Sequence, residues 1–179
     1  MDRGAAPFSG EPEPVEEESG RVLAEASEEP PSKLSPRWPT EVRQWEELIT
    51  ASAQNHGLDP DLYAALIKKE SWFPVDTWPQ GFERCPAGPV TPSCTSVSGA
   101  LGIAQVMPFH FTPDENGRDP QTNIFRGAEI FAEYLAIKGG DIRTGLAAYH
   151  GGPYRDPLRQ IDWAYADLIL EWYQEATQP

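Results

Sequence analysis

From residue 40 onward, apolar positions recur at the three-and-four spacing of a helix face, punctuated by the acids, prolines and glycines that start and stop helices. Thr40 stands as an N-cap ahead of Val42, Trp45, Leu48, Ile49 and Ala53, which predicts an amphipathic helix ending at Gly57. Asp59 then Pro60 is a second start signal, and Leu62, Tyr63, Leu66 and Ile67 carry that helix to about Ser71. Pro74 biases Phe73 away from helical geometry, leaving Glu70 in the last turn. Asp119 and Pro120 open the clearest helix, with Ile124, Ala128, Phe131 and Leu135 on one face until Gly139 and Gly140. Asp141 caps a short helix through Leu146 to Tyr149, stopped by Gly151, Gly152 and Pro153. A last helix carries Ile161, Tyr165, Leu168 and Trp172. Sustained strand-like alternation is missing and Leu101–Met107 is too short to assign, so the expectation is a mainly helical domain over residues 41–179.

Residues 1–40 lack this pattern. They carry nine acids against four bases, interspersed with prolines, and too few apolar residues to offset the entropy of ordering. The expectation is a disordered acidic leader, and one use for it is as a tether to a protein partner. The whole chain has a formal charge of −14, which excludes nucleic-acid binding through clustered bases and leaves hydrogen bonding and stacking to hold any polymer. The sequence shows no twenty-residue apolar run and no basic-then-apolar start, so neither a membrane span nor a signal peptide is expected.

Between the second helix and the clearest one, residues 74–102 hold five prolines, four glycines and both cysteines. A segment of that kind is expected to flank a site. Cys85 and Cys94 fit either a disulfide closing this loop or two free thiols. His56, His110 and His150 have no ligand spacing with them, so neither a metal nor another cofactor is expected. Glu70 lies at a helix C-terminus between apolar residues and Trp72–Phe73. Burial and the negative end of the helix dipole would both raise its pKa, as a general acid near neutral pH requires. Position alone favours a plain ion pair with Lys68, Lys69 or another surface base.

Four segments in order tip that balance: ESWF at 70–73, SGALGIAQVMP at 98–108, DPQTNIFRGAEIFAEYL at 119–135 and TGLAAYHGGP at 144–153. Together they resemble the motif series of the soluble lytic transglycosylases, relatives of goose-type lysozyme. The resemblance implies a lysozyme-like (α+β), mainly α single domain with a substrate cleft. It also implies Glu70 as the single catalytic acid and base, with Ser71 orienting near it. Gln105 would hydrogen-bond the sugar, and the Tyr149 hydroxyl would support the catalytic carboxyl. His150 stands where the family usually has asparagine, and Ile103 and Ala104 replace its leucine and methionine; these departures bear on substrate binding and pocket shape.

The implied substrate is the glycan strand of peptidoglycan. Its bond between N-acetylmuramic acid and N-acetylglucosamine would open without water to give a 1,6-anhydro sugar. A hydrolytic relative would need a second carboxylate, for which Asp76 and Glu83 are the candidates. A third reading, a weak glycan-binding or structural module, draws on His150. Trp72, Trp78, Phe82, Phe109 and Phe111 could stack on sugars, although packing is the commoner use of such rings. The long loop is expected to wall one side of the cleft. A cell-wall enzyme lacking an export signal points to a phage lysin or virion protein, a fragment of an exported protein, or a specialised release route.

Overall fold

A computed structural model describes residues 33–71, 95–96 and 98–178. Asp76, Glu83, Cys85, Cys94, Trp72, Trp78 and Phe82, together with most of the acidic leader, lie outside them. Among the described residues the fold is helical: α1 (Thr40–Arg43), α2 (Glu46–Asn55), α3 (Pro60–Ser71), a 3₁₀ turn at Pro108–His110, α4 (Pro120–Ile137), α5 (Ile142–Gly151) and α6 (Gln160–Thr177). Isolated bridges pair Thr95 with Leu101 and Leu101 with Val106. Among the described residues no helix is long and apolar enough to cross a membrane, and no group of His, Cys, Asp or Glu could hold a metal ion.

α3 is the centre of the domain. Every residue from Pro60 to Ile67 is buried, as expected of a helix surrounded by neighbours. It packs against α1, α2 and α6, while α4 joins α2 to α5, and α5 lies on α6. The predicted start of α3 holds: Asp59 Oδ1 accepts from the Asp61 and Leu62 amides at 2.8 and 3.1 Å. Asp119 and Asp141 cap α4 and α5 in the same way, through the amides of Thr122 and Thr144.

Three sequence expectations are corrected. The single helix expected over 40–57 is two: Trp45 leaves helical geometry at φ −106°, ψ 11°, and packs partly against the core. Its first cap is Pro39, with Thr40 already inside α1. The end of the supposed free leader is anchored. Leu34 and Trp38 are buried, the Trp38 indole and the Ser35 amide both donate to Asp61 Oδ1, and the Ser35 hydroxyl donates to the Ala176 carbonyl. Two apolar side chains separated by three polar or proline positions were too sparse a signal for this strap. In α6 the buried face is set by Asp162, Tyr165, Ala166 and Ile169, which leaves Ile161 exposed. A buried aspartate at the helix start rotates that face by about one position.

Candidate active site

Glu70 lies in the last turn of the buried helix α3, within the electrostatic reach of three tyrosines: Tyr63 of the same helix, Tyr149 of α5 and Tyr165 of α6. Its carboxyl is half-buried, and Oε1 accepts a short hydrogen bond from the Tyr165 hydroxyl of α6. Desolvation pushes its pKa up to about 7, against the opposing effects of the Tyr165 bond and the Lys69 charge. Two further phenols, buried Tyr63 and partly buried Tyr149, have their pKa raised chiefly by desolvation and also by the charge of Glu70. The Tyr63 hydroxyl donates to the Ile124 carbonyl at 2.5 Å, and that of Tyr149 donates to the Ala104 carbonyl at 2.9 Å. Both hydroxyls converge on Gly127 of α4, where a Cβ would lie 2.6 Å from Ala104 Cβ and 2.7 Å from the Tyr63 oxygen. A side chain at that point would push the site apart.

Opposite α3, residues 100–107 form a tight turn. Leu101 and Val106 exchange both backbone hydrogen bonds, at 2.9 and 3.0 Å. Fully buried Asn123 clamps the turn: Oδ1 accepts from the Ala104 amide at 2.7 Å, while Nδ2 donates to the Leu101 and Gly117 carbonyls. Gly102, at φ +71°, lets that side chain in, since a Cβ there would meet it at 2.6 Å. Gln105 occupies the left-handed region at φ 50°, which is uncommon for a residue with a Cβ. Its Nε2 donates to the Gly102 carbonyl at 2.7 Å. Gln105, Met107, Phe109, Tyr134, Tyr149 and His150 border a cavity of about 180 Å³.

The expected residues therefore gather in two groups. Gln105, Tyr149 and His150 share the cavity, and Glu70 joins them through Tyr165, whose ring stacks on His150 at 4.8 Å. The hydroxyl bound to Glu70 in this structure is that of Tyr165, while Tyr149 donates to the Ala104 carbonyl. The Ser71 hydroxyl donates back to Ile67 O at 2.6 Å, the usual refuge of a serine in a helix. Of the stacking candidates, Phe109 is 75% exposed at the cavity, whereas Phe111 packs on the core and against Gly117.

Residues 47–164 match the family model of the Transglycosylase SLT domain. The chain belongs to this family. A transglycosylase of Enterobacteria phage PRD1 is 36% identical to it over 122 residues, which cover 67% of this chain and 37% of that protein. The chain thus spans little more than a third of that relative's length. The SLT domain also resembles an inactive mutant of the lytic transglycosylase Slt from Pseudomonas aeruginosa, with a TM-score of 0.53 at 18% identity, over 73% of this chain and 23% of that one. At that identity the likeness is one of fold, and it agrees with the mainly helical domain expected from the four motifs.

Tyr165, which bonds Glu70, and Asp162, which bonds His150, are the residues beside the expected ones that sequence reasoning missed. Tyr165 was read as one apolar position of the last helix, which it is, and its hydroxyl finds Glu70 across 95 residues of sequence. The only available signal for Asp162 was its spacing of three from Arg159, that of a cap pair.

Proposed function

We propose that this SLT domain is a lytic transglycosylase of peptidoglycan, cleaving the bond between N-acetylmuramic acid and N-acetylglucosamine without water. The observation that carries this reading is the Glu70 carboxyl, with its pKa pushed up to about 7 among apolar and phenolic neighbours. An acid of that strength holds its proton near neutrality and can still release it. Glu70 protonates the glycosidic oxygen, and the bond from that oxygen to muramyl C1 breaks, releasing the N-acetylglucosamine 4-hydroxyl. The muramyl 6-oxygen bonds to C1 and its proton passes to the Glu70 carboxylate, which restores the acid. The Tyr165 hydroxyl steadies the carboxylate between the two steps. Gln105 and His150 bind the sugar from the cavity, while Tyr149 braces the turn that carries Gln105.

The test is mass spectrometry of the muropeptides this protein releases from purified peptidoglycan, beside its Glu70→Gln variant. The expected products are one water lighter than hydrolytic ones and fall at least roughly 10³-fold in the variant. Reducing-end products would instead make the protein a hydrolase and bring in Asp76 or Glu83 as base. No sugar product from a folded sample would leave the glycan-binding module.

A further inference from the structure

Beside the carboxyl site, α5 and α6 hold a polar network to which the reaction above assigns no part. Asp162 is fully buried at the start of α6. Its Oδ2 accepts from the Arg159 backbone amide at 2.8 Å and from Arg159 Nε at 3.1 Å, and its Oδ1 from Arg159 Nη2 at 2.8 Å. The remaining partner is His150, whose Nδ1 lies 2.8 Å from Oδ1. Gly151 makes room for this approach, because a Cβ there would lie 2.8 Å from the Asp162 carboxyl carbon.

The hydrogen bonds from Arg159, ahead of that from His150, hold the Asp162 carboxyl well below its usual range. An ionised carboxylate only accepts, so the His150 nitrogen facing it carries the proton. Nε2 is then the ring nitrogen not engaged by Asp162, on a residue that lines the cavity with Gln105 and Tyr149. The ring face is fixed as well, stacked on Tyr165 with 26° between the planes. Orientation and tautomer are thus both set from the protein side before any ligand arrives.

We infer that Asp162, itself held by Arg159, is a positioning residue that fixes His150 as the Nδ1–H tautomer, so that Nε2 accepts a hydrogen bond from a sugar hydroxyl in the cleft. The sugar rests on the reading of the site given above. Asparagine at that position offers a donor and an acceptor together. In the Nδ1–H tautomer the imidazole offers an acceptor alone, and so selects a hydroxyl over a carbonyl.

Two measurements test this without requiring turnover. Nitrogen-15 spectra of the histidine rings, taken on the free protein with His150 neutral, should show Nδ1 protonated in the wild type and Nε2 protonated in Asp162→Asn, whose amide would donate to Nδ1. Affinity for an N-acetylglucosamine–N-acetylmuramic acid tetrasaccharide is then measured in the Glu70→Gln background. Asp162→Asn should weaken it roughly tenfold, the worth of one hydrogen bond, and this loss should vanish when His150→Asn is also present. An Nε2–H tautomer in the wild type would overturn the inference. So would an equal loss of affinity with and without His150, which would mark Asp162 as merely structural. Absence of anhydro products with both results intact would count against the reaction and leave this contact standing.

Discussion

Glu70 and Asp162 are two shielded carboxyl groups on neighbouring helices, and they are tuned in opposite directions. Glu70 is half-buried and receives one phenolic hydrogen bond; desolvation prevails and its pKa climbs to about 7. Asp162 is sealed by donors, namely the guanidinium and amide of Arg159 and the ring of His150, and stays well below the usual range despite a desolvation penalty. Shielding alone does not fix a carboxyl's charge. The number and charge of the donors that accompany it do. The two carboxyls are linked through Tyr165, whose hydroxyl bonds one and whose ring stacks on the partner of the other.

The contrast breaks most visibly at Glu70. With Glu70→Gln, loss of activity should be accompanied by a gain in stability at high pH. The unfolded chain releases this proton near 4.5 and the folded protein near 7. The folded state therefore binds more protons between those values, and wild-type stability falls as pH rises through that window. Glutamine escapes the loss. Thermal unfolding at pH 8 should favour the variant by roughly 3 kcal/mol relative to the same comparison at pH 4. Asp162 should slope the other way, since a depressed carboxyl stabilises above its unfolded value of 3.8 and loses that contribution as pH falls.

Asp162→Ala removes the acceptor for the Arg159 amide and guanidinium together with the partner of His150. Denaturant unfolding at neutral pH should show a loss of roughly 2 kcal/mol, shrinking toward low pH. Tyr165→Phe is the smallest change. It deletes the bond that favours ionised Glu70, so the falling limb of activity with pH should move up by about half to one unit, with a several-fold lower maximum. A limb that stayed in place would show that Tyr165 does not tune the acid.

Helix starts were legible because they rest on local chemistry: Asp59, Asp119 and Asp141 each bond an amide two or three residues on. The position of Glu70 in the last turn of α3 was legible for the same reason. The four motifs pointed to the family that residues 47–164 match. What stayed hidden depended on partners distant in sequence. Trp38 reaches Asp61 and Ser35 reaches Ala176, contacts that no periodicity encodes. Tyr149 and Tyr165 are both apolar-face tyrosines, and only packing decides which hydroxyl meets the carboxyl. The Asn123 clamp was visible as a motif letter, but its work in closing the turn around Ala104 was not.

With the sugar-binding role proposed for it, Gln105 would set folding and function at odds in a single residue. Its backbone at φ 50° would be relaxed by glycine, which pays no Cβ penalty there. A screen that rewarded heat resistance alone would drift toward glycine at 105 wherever that relief exceeds the loss of the Nε2 bond to the Gly102 carbonyl. The hardier protein it returned would have an empty place in the cleft where the carboxamide now stands. Thermostability is a misleading guide to improvement at this turn, and a library built on this domain should hold position 105 fixed.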